Sequence, residues 1–275
     1  MVAPISYQFG STNACADLQD RSVSTDLDFN ETNLRRFREF FGDATSWAGS
    51  RSPREWATRL GVAASIADRL SPAKSSRESI KELCADTTVL SATCFVAIMA
   101  WGGMKYHHAR AIWRLREKWI RLVDELRDGS LTRANAFEKF WIFRRENPGC
   151  GMGPAYYTKL IFFAAPEHNG YIMDQWTSLS ANLLFISEPQ PMVDLRVAGT
   201  GHGRSANVTD KNNAQTYERF CQSIEQLATL FSTTSEQIEQ RMFSQGGRNP
   251  ARWRRYVREH ALQIPGRHVP DPSTG

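Results

Sequence analysis

Two ionisable side chains and three glycines in this chain have types and spacing that could do chemistry together. Asp174 stands before a helical pattern, Lys159 lies inside an apolar helix, and Gly149, Gly151 and Gly153 alternate just before Pro154. A carboxylate at a helix start can support a developing positive charge or activate water. A lysine in apolar surroundings has a lowered pKa through desolvation and can act as a nucleophile. The N–H groups of Gly151 and Gly153, at a helix N-terminus, suit a phosphate oxygen, because the helix end offers unpaired donors and a positive dipole. Plainer roles fit the same residues. Asp174 is a preferred helix cap, Lys159 could pair with Asp174 or a phosphate or snorkel to the surface, and the glycines could simply make a tight turn.

The segment Asn147 to Trp176 positions these groups. Pro is favoured at the first position of a helix, and Gly supplies backbone conformations that other residues resist. Ala155 to Ala165 is apolar and unbroken, and Pro166 with Asn169-Gly170 ends it. The segment therefore reads as hairpin, helix, short loop, and an aspartate at a new helix start.

This arrangement resembles the helix-hairpin-helix DNA glycosylase superfamily, with Gly151-Met152-Gly153 as its G-x-G hairpin and Asp174, 21 residues on, as its catalytic aspartate. The flanks resemble the bacterial 8-oxoguanine-DNA-glycosylase-like branch: Ala100-Trp101-Gly102, Tyr157-Thr158-Lys159, and a late helix from Glu236 to Phe243. The resemblance spans about residues 85 to 245. It implies an all-α fold with two helical lobes flanking a DNA-binding groove, double-stranded DNA as partner, and a base flipped into a pocket. It implies Gly149, Gly151 and Gly153 on the phosphate backbone, joined by a monovalent cation through backbone carbonyls, and no other cofactor or metal. The loop Met104-Lys105-Tyr106 would fill the gap left by the extruded base, with local packing as the competing role. Trp101, Tyr156 and Trp176 could stack on that base, since stacking is sequence-tolerant, or pack in the core.

One position departs from the pattern. Bifunctional relatives carry a lysine two residues after the last hairpin glycine, and here Ala155 stands there. Lys159 lies on the same helix face one turn further on. The expectation is therefore a monofunctional enzyme in which Asp174 assists attack by water, with nucleophilic Lys159 as the alternative. The substrate would be an oxidised purine such as 8-oxoguanine in repair, or a modified base of phage DNA in defence. A non-catalytic DNA-binding helix-hairpin-helix protein is the rival from another class.

The remaining helices are read from their apolar periodicity. Leu34, Phe37, Phe40 and Phe41 mark the first. Pro53 opens a second, with Trp56, Leu60, Ala63, Ile66 and Leu70 on one stripe, and Ser75 to Glu78 reads as a capping box for a third. Thr87 to Trp101 predicts a buried central helix, Ala109 to Arg127 a basic one, and Thr132 to Arg145 the first helix of the hairpin. Beyond Asp174 a helix ends near Ile186, residues 192–214 read as a long polar loop, and helices follow around Tyr217–Leu230 and after Thr234. No strand pattern is convincing. Residues 1–30 read as a flexible N-terminal arm, 31–245 as the helical domain with its 132–186 core, and 246–275 as a basic C-terminal tail.

The chain has 275 residues, enough to bury a sizeable core. Its net charge is a mild +5, from 34 Lys+Arg against 29 Asp+Glu, so a nucleic-acid role depends on where the charge lies. Arginine gathers at Arg248, Arg252, Arg254, Arg255, Arg258 and Arg267. Five scattered cysteines with no C-x-x-C pair indicate neither a zinc site nor a disulfide framework, and exclude a cysteine-ligated iron–sulfur cluster. His107, His108, His168 and His202 lack the spacing of a helical metal pair. With no signal-like or membrane-length apolar run, the expected location is the cytoplasm. No obligate protein partner is evident.

Overall fold

The computed structural model describes residues 27–42, 49–167, 169–187, 189–199 and 204–262. Among these the chain is all-α apart from one small antiparallel sheet. The first helix, α1 (Glu31–Glu39), is capped by the Asn30 side chain, which accepts from Asn33 N–H, and it buries Leu34 and Phe37. Just before it, Asn30 N–H donates to Leu184 O and Ile186 N–H to Asp28 O, each at 2.8 Å. The last residues of the segment read as a loose arm are therefore pinned; residues 1–26 lie outside the described residues.

Ser52 caps α2 (Pro53–Leu60), with Pro53 in its first turn as expected. The single stripe predicted to reach Leu70 is broken. Gly61 takes a left-handed φ of 72°, and the chain resumes as the short α3 (Ala64–Ala67). α4 (Arg77–Ala85) is capped by Ser76, which accepts from Ser79 N–H; Ser75 is one residue too early. α5 (Ser91–Trp101) is buried along its whole length. A helix with no polar face has only the centre of the molecule to occupy. The basic helix is two, α6 (Tyr106–Arg114) and α7 (Arg116–Arg127), meeting at Leu115. Trp119 Nε1–H donates to Ile112 O at 2.9 Å across that break.

α8 (Arg133–Glu146), capped by Thr132, leads into the hairpin, and α9 (Pro154–Ala164) and α10 (Gln175–Leu184) follow. α11 (Ala214–Leu230), α12 (Ser235–Phe243) and α13 (Arg252–His260) complete the described chain. α13 is part of the segment read as a basic tail. It packs on α10 and α12, and its Arg254 is buried rather than offered to solvent.

The helices form two lobes. α2 to α9 surround α5 and α9, while α1, α10, α12 and α13 pack together, and α11 joins α8 to α12. Ion pairs cross between them: Lys81 Nζ reaches Glu236 at 2.6 Å, and Arg133 reaches Glu218 at 2.5 Å and also Glu225. The segment read as a polar loop contains a β-hairpin, β1 (Leu195–Ala198) with β2 (Ser205–Val208), in register Leu195↔Val208 through Ala198↔Ser205. Only Leu195 and Ala206 are buried in it, so its strands lack the alternating pattern that marks a sheet in sequence. Among the described residues no helix is long and apolar enough to cross a membrane.

Candidate active site

The hairpin begins where α8 stops at Asn147, whose carbonyl accepts from Cys150 N–H at 3.1 Å. Gly149 and Gly151 hold φ of +80° and +79°, a region that favours glycine. A Cβ on Gly151 would also lie 2.7 Å from His108 Cβ and 2.8 Å from its Cα, so the hairpin is pressed against α6. Gly153 is different. Its φ is −90°, and a Cβ there would meet nothing within 4 Å. The fold does not require this glycine. It is the N-cap of α9 and makes no side-chain cap; Pro154 has no N–H, and Tyr156 and Tyr157 N–H donate to Gly153 O at 2.9 and 3.2 Å, which leaves Ala155 N–H as the first-turn donor for a ligand.

Asp174 caps α10. Its Oδ1 accepts from Trp176 N–H at 2.8 Å and Thr177 N–H at 3.2 Å, and Thr177 Oγ1 returns a bond from Asp174 N–H at 3.0 Å. Those backbone contacts use Oδ1, which leaves Oδ2 for a substrate or water. Thr158 Oγ1 accepts from Met173 N–H at 3.1 Å and donates to Pro154 O at 2.7 Å, which ties the approach to Asp174 onto the first turn of α9. One buried threonine thus links the start of α9 to the residue before Asp174.

Lys159 is only 6 % exposed. Its stem lies on Gly102, where a Cβ would come within 2.8 Å of Lys159 Cδ, and its Nζ donates to Ala155 O at 2.5 Å. Burial pulls the amine below the usual lysine range, and the charges of Asp174 and Glu239 only partly oppose it. The unfolded chain keeps its proton up to the ordinary lysine range. Between the two pKa values the unfolded state therefore binds more protons, and stability rises with pH. Lys159→Met is expected to remove that slope and to raise the melting temperature near neutral pH by about 2–4 °C, a gain of roughly 1 kcal/mol in a chain this size. Thermal denaturation at several pH values checks both, and a lower melting temperature would mean that the ammonium is a net stabiliser.

These residues share a cleft of about 790 Å³ between the lobes. Its wall includes Gly149, Gly151, Gly153, Ala155, Lys159 and Asp174, with the aromatic rings of Trp101, Tyr156 and Trp176. All three aromatic candidates thus line the cleft. Trp101 is also packed edge-on to Phe163 at 4.8 Å, and Trp176 carries the Arg254 guanidinium 3.9 Å over its ring. The loop after α5 is elsewhere. Met104 is fully buried in the core, and its carbonyl accepts from Trp56 Nε1–H, so its side chain cannot fill a gap in DNA. Tyr106 stacks on Trp56 at 6.2 Å, with Arg51 and Arg59 over its ring. Lys105 is exposed at the start of α6. None of the three lines the cleft.

Further side chains add to the wall. His108, discounted on spacing, lies beside Gly151, and burial lowers its pKa. His168 and His202 lie outside the described residues. Arg77 of α4, Glu239 and Phe243 of α12, and Arg196 with Asn207 of the β-hairpin also line the cleft. Glu239 had a signal in the sequence: Glu239, Met242 and Phe243 follow helical spacing, which sets a carboxylate on an apolar stripe. Arg77 and the β-hairpin residues had none.

A family model described as "Putative 8-oxoguanine DNA glycosylase OGG-like protein" matches residues 42–243. No curated protein and no solved structure matches. The matched span contains the hairpin, Lys159, Asp174 and Glu239, and leaves out α1 and α13.

Proposed function

The chain belongs to this OGG-like family, and from that premise we propose that it flips an altered base out of double-stranded DNA and hydrolyses its N-glycosidic bond. The observation that carries this reading is the single cleft that joins Gly153, Asp174 and three aromatic side chains. A flipped base needs flat apolar walls and a carboxylate near its sugar. The hairpin and the open N-terminus of α9 would hold a phosphate next to the extruded nucleotide. Asp174, oriented by its cap, would support the cationic sugar and steer water, as in glycoside hydrolysis. A monovalent cation fits the hairpin: among the described residues, the Gly149 and Gly151 carbonyls accept no backbone hydrogen bond. It would add positive charge beside the phosphate.

An oxidised purine such as 8-oxoguanine is the repair substrate in this reading. A modified base of phage DNA would make the same chemistry a defence reaction. Burial of Lys159 in the cleft favours one second reading, in which its amine attacks the sugar in place of water. Two experiments separate these. Duplexes with a panel of lesions and modified bases, treated with alkali after incubation, should break at one base type. Borohydride should trap no covalent complex, because Ala155 stands where bifunctional relatives carry their lysine. A trapped band that disappears in Lys159→Ala would make Lys159 the nucleophile.

A further inference from the structure

The inner wall of the cleft holds a buried charge pair that the hydrolysis above does not use. Glu239 is 0 % exposed, and Arg77 Nη1 lies 2.6 Å from its Oε2. Arg77 meets Oε2 as a close ion pair, while among the described residues Glu239 Oε1 has no hydrogen-bond partner. Both side chains are at least nine-tenths buried and both line the cleft. An acceptor left unmet inside a protein is costly, and such groups are normally satisfied. Arg77 cannot swing away, because its guanidinium lies under Phe162 at 4.9 Å and Trp101 at 5.4 Å, with Glu236 at 3.7 Å. Burial pushes the Glu239 carboxyl up, and the neighbouring Arg77 pulls it back toward its charged form.

We propose that Arg77 and Glu239 read the hydrogen-bonding edge of the extruded base and select a carbonyl next to a ring N–H. This rests on the glycosylase reading and names the class of base that the same cleft takes. Ionised against Arg77, Glu239 offers acceptors only, and Arg77 offers donors only. Held side by side, they match an edge that presents an N–H donor beside a carbonyl acceptor. Entering the same way round, as its bond to the sugar requires, an amino group beside an unprotonated ring nitrogen does not fit. Its lone pair would face a carboxylate oxygen, and its N–H groups would face the guanidinium. A phosphate is disfavoured by the carboxylate, and the aromatic wall of Trp101, Trp176 and Phe243 suits a flat ring.

The test measures binding, so it does not depend on turnover. Duplexes carry non-hydrolysable 2′-fluoroarabino nucleotides of hypoxanthine or adenine, and of 5-hydroxymethyluracil or 5-hydroxymethylcytosine. Within each pair only the edge changes. A further duplex carries an abasic analogue, which has no edge to read. The parent chain should bind the carbonyl–N–H member of each pair about tenfold or more tightly, the size of a well-formed bidentate contact. Glu239→Gln, whose amide both donates and accepts, should lose or invert that preference while binding the abasic duplex like the parent. Equal binding within both pairs overturns the proposal and leaves the glycosylase reading standing. So does a preference that survives in Glu239→Gln. If that variant fails to bind even the abasic duplex, the two pairs measured with the parent chain decide. A parent chain that binds the abasic duplex no better than a plain one sinks the glycosylase reading, and this proposal with it.

Discussion

Asp174→Asn is expected to lower single-turnover base release by about a thousandfold or more, the range lost when a positioned acid–base or electrostatic group is removed. Duplex binding should stay within a few-fold of the parent. The separation is clean because asparagine is as good an N-cap as aspartate. Its Oδ1 can still accept from Trp176 N–H and Thr177 N–H, so α10 starts in the same place. What disappears is the negative charge. Asp174→Ala would confuse the result, because losing the cap costs about 1 kcal/mol by itself. Equal release by Asp174→Asn and parent would remove Asp174 from the mechanism.

The second large effect is at the hairpin, where two glycines two residues apart should answer differently. Gly153→Glu should weaken binding to every duplex alike by about 10- to 100-fold, roughly the loss of a charge-assisted hydrogen bond plus added repulsion. It should leave the melting temperature almost unchanged, because a Cβ at Gly153 meets nothing and its φ of −90° suits any residue. Phosphate contacts carry no sequence information, so discrimination between bases should survive. The parent's affinity should also fall steeply with salt as counterions are released. Gly151→Ala should instead lower stability, since its φ of +79° is strained for alanine and the methyl would strike His108. A Gly153→Glu chain that binds like the parent would show that the hairpin is not the DNA anchor.

The hairpin, α9 and the Asp174 cap were legible in the sequence because each rests on local chemistry. Glycine with positive φ, proline in the first turn, and an aspartate before an apolar run act within a few residues of themselves. Placement of α5 was legible for a related reason: eleven residues without a polar face have only the core to occupy. Helix breaks were harder. Gly61 and Leu115 interrupt apolar stripes that continue in register on either side, so periodicity ran straight across them. Met104 was a wedge candidate because the resembled family carries its gap-filling side chain in this loop, and its burial depends on tertiary packing. The β-hairpin and Arg77 join the site through contacts that are long in sequence, which no local pattern carries. Glu239 was the readable miss, a charge on a buried stripe.

The most direct test of the central claim is to look for the free base itself. The purified chain, in excess over duplexes carrying 8-oxoguanine or other altered bases, is incubated and the small molecules are analysed by mass spectrometry. One class of altered base is expected in solution, matched by an equal amount of intact strand that breaks only on heating with alkali. Tight, salt-sensitive duplex binding with no base released from any member of the panel would contradict it. The chain would then be a DNA-binding helix-hairpin-helix protein without chemistry.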